Sequence, residues 1–138
     1  MDKKFLFLSF TFFLSFTLFI SIMILNKPLS SLTRAKEELL PSAQTSLILA
    51  WPLTVIADGK TPVHINVFIR NNKNVPLSNK KVTVNSTLGQ IREIQSTTDK
   101  NGKANFILTS NNTGLAEVDA VVDGNIKLNQ KITIKFEK

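Results

Sequence analysis

The sequence contains no cysteine. That excludes a disulfide framework, a thiolate nucleophile and any sulfur-ligated metal. The single histidine, His64, excludes a histidine cluster for zinc. Tyrosine is absent, and Trp51 is the only tryptophan. Glycine and proline number five each, and no Gly-rich phosphate loop is formed. Serine and threonine are plentiful, but no nucleophile elbow or carboxylate pair accompanies them. The sequence therefore predicts a protein that is not an enzyme and carries no cofactor. The formal charge is +7, yet the basic residues are dispersed, with no run longer than a pair such as Lys80-Lys81. No aromatic residues alternate with them, so a nucleic-acid partner is not expected.

What is present is unevenly distributed. Seven of the ten phenylalanines lie within the first 19 positions. The run Phe5 to Leu25, FLFLSFTFFLSFTLFISIMIL, has 21 residues without charge, glycine or proline. As a helix it would be about 31 Å long, matching a hydrocarbon core of about 30 Å. Its hydroxyls can bond back to helix carbonyls and do not forbid insertion in lipid. Lys3 and Lys4 precede it and favour a cytoplasmic N-terminus. Residues 1–25 are thus expected to be a cytoplasmic tip and transmembrane signal anchor, with membrane lipid as the partner of Phe5 to Leu25. The alternative is a cleaved signal peptide, although no small-x-small site directly follows the run. Both readings send the remainder out of the cytoplasm. Residues 26–43 form a juxtamembrane linker. Pro28 discourages continuation of the membrane helix, while Leu29, Leu32, Leu39 and Leu40 would share one face of a short second helix.

From residue 44 the pattern changes to a period of two. Val63, Ile65, Val67 and Ile69 fall on one face of VHINVFIR, and His64, Asn66, Phe68 and Arg70 on the other. Val82 and Val84 alternate in KKVTVNS. So do Ala104, Phe106 and Leu108 in KANFILT, and Ala116, Val118, Ala120 and Val122 in AEVDAVVDG. In KLNQKITIKF, Leu128, Ile132, Ile134 and Phe136 share a face with the polar Gln130. TSLILAW is a further strand. In QIREIQSTT, Ile91 and Ile94 are out of phase, which predicts a bulge. Turn residues separate the segments at Asp58-Gly59, Asn71 to Asn74, Leu88-Gly89, Asn101-Gly102, Asn111 to Gly114 and Asp123-Gly124. About seven short strands, each with one apolar face, predict an all-β antiparallel sandwich over residues 44–138.

The segment STTDKNGKANFILTS admits two chemistries. With Gly102 as the sixth residue of a helix–loop–helix calcium loop, the twelfth would be Leu108, which has no side-chain oxygen. The flanks also alternate as strands. A hairpin turn fits instead, with Asn101-Gly102 as the pair tolerating positive φ and Asp99 accepting a backbone N–H. Asp58, Asp99, Asp119 and Asp123 would bind calcium only if they met at one end of the sandwich, and no metal site is expected. His64 reads as surface. Trp51, Phe68 and Ile107 are the candidates for an exposed apolar patch. The sequons at Asn85 and Asn111 matter only in a glycosylating host.

VIADGKTPVHINVFI, NVPLSNKKVTVNSTLGQI and STTDKNGKANFILTSNNTGLAEVDAVVDG together resemble the bacterial group-1 Ig-like domain, the repeat of invasins and intimins. The last stretch keeps that family's TTD..GKA and TS...G.A.V.A.V.G spacing. The resemblance covers about residues 46–136 and implies an Ig-like sandwich outside the cytoplasm. It departs from the family pattern at NNKN, where an acidic, glycine-containing turn is usual. It also implies a structural, binding or adhesion role with a protein or polysaccharide partner. The alternatives are a secreted soluble module and an envelope assembly subunit.

Overall fold

The structure, a computed structural model, describes residues 2–138 and, of residues 24–38, the backbone alone. The chain divides into two compact units, the N-terminal helix and a body of Glu38–Lys138.

Helix α1 spans Lys3–Glu38. From Phe5 to Met23 every large apolar side chain is exposed. A helix apolar on all sides is suited to lipid rather than water. The Thr11 and Thr17 hydroxyls donate to the Phe7 and Phe13 carbonyls at 2.9 and 3.0 Å. Ser15 donates to the Phe12 carbonyl at 3.0 Å, so the helix itself satisfies these polar groups. Lys3–Met23 is long and apolar enough to cross a membrane, with mean hydropathy 2.2, a property that N-terminal signal sequences share. The helical bounds include Pro28, where the sequence predicts an interruption. A single proline removes one backbone donor, a loss that the rest of a long helix can absorb. Of the leucines expected to form a face in the linker, Leu29 and Leu32 lie outside the described side chains, while Leu39 and Leu40 are exposed.

The body is built from nine strands: β1 Leu47–Trp51, β2 Thr54–Ile56, β3 Val63–Phe68, β4 Val82–Ser86, β5 Gln90–Gln95, β6 Lys103–Thr109, β7 Gly114–Val122, β8 Ile126–Lys127 and β9 Ile132–Glu137. They form two sheets, one ordered β1-β3-β6-β5 and the other β2-β9-β7-β4, with β8 also on β7. Seven coincide with the alternating segments of the sequence. The additional strands, β2 and β8, have three and two residues.

One pairing departs from the antiparallel expectation. β2 runs parallel to β9, with Val55 opposite Phe136. The chain leaves the first sheet at Trp51, passes a cis peptide to Pro52, and joins the second sheet at Thr54. It changes layer without reversing direction, so it meets β9 running the same way. Lys135 N–H donates to the Leu53 carbonyl at 2.8 Å.

The core lies between the sheets and follows the predicted alternation. Ile48, Val63, Ile65, Val67, Phe106 and Leu108 meet Val82, Val118, Val122, Ile134 and Phe136, all 2% exposed or less. Ala104, Ala116 and Ala120 are fully buried and let the layers approach. Gln130 is the polar exception on its face, and its Oε1 accepts the backbone N–H of Ile48 at 3.0 Å. The predicted irregularity in β5 is a register shift between Glu93 and Gln95.

The turn at Asp99 to Lys103 corrects one expectation. Gly102 has φ 72°, but Asn101 is not in the positive region. Gly102 N–H donates to the Asp99 carbonyl at 3.0 Å, and Asp99 Oδ1 accepts Asn101 N–H at 2.8 Å and Lys103 N–H at 3.0 Å. This is a turn with one left-handed residue after it, because Asp99 closes the loop from outside the Asn-Gly pair. The pair with both φ positive is Asp123-Gly124, at 49° and 77°.

Candidate functional site

The outer face of the first sheet is the surface on which the sequence placed its apolar candidates. Strand register puts Trp51 beside His64, His64 beside Ile107, and Ile107 beside Arg92. Trp51 and Ile107 are thus two strands apart on one face, about 10 Å. Phe68 stands in another row, between Leu47 and Lys103. It lies four residues along β3, roughly 13 Å away, with Asn66 and Asn105 between. The structure joins Trp51 and Ile107 and leaves Phe68 apart. Trp51 is 75% exposed, whereas Ile107 and Phe68 are half-buried.

The strip continues along the edge strand β1, where Leu47 and Leu49 are also exposed. Neither was singled out from sequence, although both share the phase of Trp51 in TSLILAW. Beside Ile107 a cleft of about 410 Å³ is lined by Lys60, Gln90, Arg92 and Thr109 among others. His64 faces Trp51 and Ile107, with no carboxylate in its row. The geometry offers an aromatic and aliphatic contact surface with a cationic rim, which suits binding rather than proton transfer.

The four aspartates considered for calcium are engaged separately. Asp58 Oδ1 accepts Lys60 N–H at 2.8 Å and Thr61 N–H at 2.6 Å, and Oδ2 accepts the Thr61 hydroxyl at 2.7 Å. These bonds, the Thr61 N–H foremost, hold its pKa down to about 2. Asp99 serves its own turn. Asp119 accepts from Lys127 Nζ at 2.6 Å and Asn85 Nδ2 at 3.0 Å, and these bonds, Lys127 first, lower its pKa. Asp123 pairs with Lys80 Nζ at 3.4 Å and accepts Lys81 N–H at 3.1 Å. Among the described residues, no three His, Cys, Asp or Glu side chains gather where a metal ion could sit.

The two ends of the sandwich differ. At the end where the chain enters, Ser42 N–H donates to the Arg70 carbonyl at 2.8 Å and the Thr45 hydroxyl to the Asn71 carbonyl at 2.8 Å. The loops of residues 70–81 and 97–103 interlock there. Ile69 N–H donates to the Gly102 carbonyl at 2.8 Å, and Thr98 N–H to the Lys80 carbonyl at 2.9 Å. Thr98 is buried, donating its hydroxyl to the Leu77 carbonyl at 2.7 Å and accepting Lys80 N–H at 2.9 Å. The opposite end carries residues 57–62, 86–90 and 109–114, where Gly59 N–H donates to the Ser110 carbonyl at 2.9 Å.

Residues 49–137 match the family model of the bacterial Ig-like domain (group 1). Among solved structures, the Yersinia pseudotuberculosis adhesin InvE is similar at 26% identity and TM-score 0.63, over 70% of this chain and 27% of that one. Invasin, described as a bacterial integrin-binding protein, is similar at 27% identity and TM-score 0.64, over 70% of this chain and 19% of that one. The D0-D1 domain of intimin is similar at 31% identity and TM-score 0.59, over 67% of this chain and 47% of that one. The matched part thus spans less than half of each of these solved chains. No curated protein matches.

Proposed function

We propose that this chain, which belongs to the bacterial Ig-like domain (group 1) family, is a non-catalytic surface module that binds a protein or polysaccharide through the outer face of its first sheet. The helix of Lys3–Met23 would hold residues 44–138 outside the cytoplasm as a single-pass anchor. A leader cut after export, giving a secreted module, is the second reading, favoured by the helix's N-terminal position. The intact mass of the mature protein separates them.

The observation that carries the binding reading is Trp51. A tryptophan 75% exposed on a strand costs solvation unless a partner covers it. Leu47 and Leu49 extend the same strip along a sheet edge, the kind of surface that takes a partner's chain or loop. The similarity to invasin and intimin supports a role in adhesion.

The test is site-specific photocrosslinking in intact envelopes. A crosslinker at Leu49 or Ile107 should capture a partner that one at Thr83 or Thr133, on the second sheet, does not. Trp51→Ala should abolish that capture and leave the circular dichroism spectrum unchanged. Equal capture from both sheets would overturn the assignment of the face.

A further inference from the structure

One end of the body is rich in cations. The interlocked loops where the chain enters hold Arg70, Lys73, Lys80, Lys81, Lys100 and Lys103 against two carboxylates, Asp99 and Asp123. Those carboxylates are occupied by the 99–103 turn and by Lys80 with the Lys81 N–H. The loops at the opposite end contain only Asp58 and Lys60 as charged side chains. The cationic end is therefore the one at which the chain enters the body, beside Ser42.

Apolar side chains accompany the cations. Val75 is 50% and Leu39 64% exposed, and Pro76 is exposed beside them. Val75 and Pro76, with Lys80, line a cleft of about 400 Å³. Exposed aliphatic groups among lysines are the pattern of surfaces that lie in the headgroup region of a bilayer, where the aliphatic part enters the interface and the cations meet phosphates.

We infer that this end of the sandwich rests on an anionic lipid surface, with Lys81, Lys100 and Lys103 against headgroup phosphates and Val75 in the headgroup layer. The inference uses the anchor reading for one element only. Residues 26–41, even fully extended, reach roughly 55 Å, so an inserted helix holds the basic end within that distance of the bilayer. Each basic residue held near a negative membrane gains an attraction that salt screens within about 10 Å at 0.1 M.

The experiment uses the full chain in vesicles of phosphatidylcholine alone or mixed equally with phosphatidylglycerol. Each lysine's rate of acylation by an amine-reactive reagent is read by peptide mass spectrometry. In the mixed vesicles Lys81, Lys100 and Lys103 should label about fivefold more slowly. High salt should restore the rates, and Lys60 and Lys135 should be unaffected. The double variant K81E/K100E should remove the protection of Lys103 without changing the circular dichroism spectrum. Equal rates in the two vesicles would overturn the inference, as would equal protection of Lys60. Protection by soluble polyphosphate with neutral vesicles, matching that of phosphatidylglycerol, would also overturn it by assigning the surface to a polyanion. Failure of the anchor reading is distinct: the chain would then not float with phosphatidylcholine vesicles, whereas lysine protection is still scored on the anionic ones.

Discussion

Single residues explain the densest motif of the sequence, TTDKNGK. Thr98 ties two loops together, Asp99 closes the turn, and Gly102 passes against the backbone of residue 69. A Cβ on Gly102 would sit 2.5 Å from the Ile69 carbonyl oxygen at φ +72°, whereas one on Gly124, at φ +77°, meets nothing within 4 Å. Gly124→Ala should therefore cost only the left-handed strain of about 1–2 kcal/mol. Gly102→Ala adds a backbone collision and should cost more than that, lowering Tm by roughly 10 °C or beyond in thermal melts. The turn was legible from Asp99 and the Asn-Gly pair. The approach of Ile69 was not, since it depends on a contact 33 positions away in the chain. Asp58 offers a test in pH. Its ordinary carboxyl value of 3.8 falls to about 2 in the fold. A depressed value means that its contribution is complete above the unfolded value and is lost as pH drops through the folded one. Asp58→Asn should thus flatten the decline in Tm between pH 4 and pH 2, measured by calorimetry against the parent protein.

Strands show how far periodicity reaches. The faces of β3, β4, β6 and β7 were readable because each alternates through at least two inward apolar residues, and every predicted inward residue in them is buried. The bulge in β5 was readable from Ile91 and Ile94, which a regular strand would put on opposite faces. β2 and β8 were not, because three and two residues give no period to detect. Nor could spacing reveal that β2 pairs in parallel. The apolar strip of β1 was half legible: Trp51 stood out by type, while Leu47 and Leu49 were not singled out, because an outward leucine looks like an inward one until the register places it. Gln130 belongs to this scale because it joins β1 to the segment leading into β9. Gln130→Ala leaves the Ile48 N–H without its acceptor and should cost about 1–3 kcal/mol in chemical denaturation. Phe106→Ala, which empties the centre of the core, should cost about 3–5 kcal/mol in the same assay.

At the scale of the whole molecule, composition spoke most plainly about solvent. The phenylalanine-rich start and the alternating body differ in the surface they present, and the chain divides into two compact units, Met1–Glu37 and Glu38–Lys138. Family membership follows from the body, while the contact residues do not, since fold motifs specify turns and core rather than recognition. The parallel pairing of β2 with β9 has a mechanical consequence. The chain comes in beside Arg70 and its C-terminal strand ends at the other extreme, where Ala57 N–H donates to the Glu137 carbonyl at 2.8 Å. Traction applied through Ser42 and Lys138 would pull these neighbouring strands lengthwise in opposite directions. Their hydrogen bonds would then bear load together in shear instead of opening one after another, as in a zipper. Stretching the domain between those two points should give a higher rupture force than stretching it across the sheets, a property suited to a module that holds on while its partner moves.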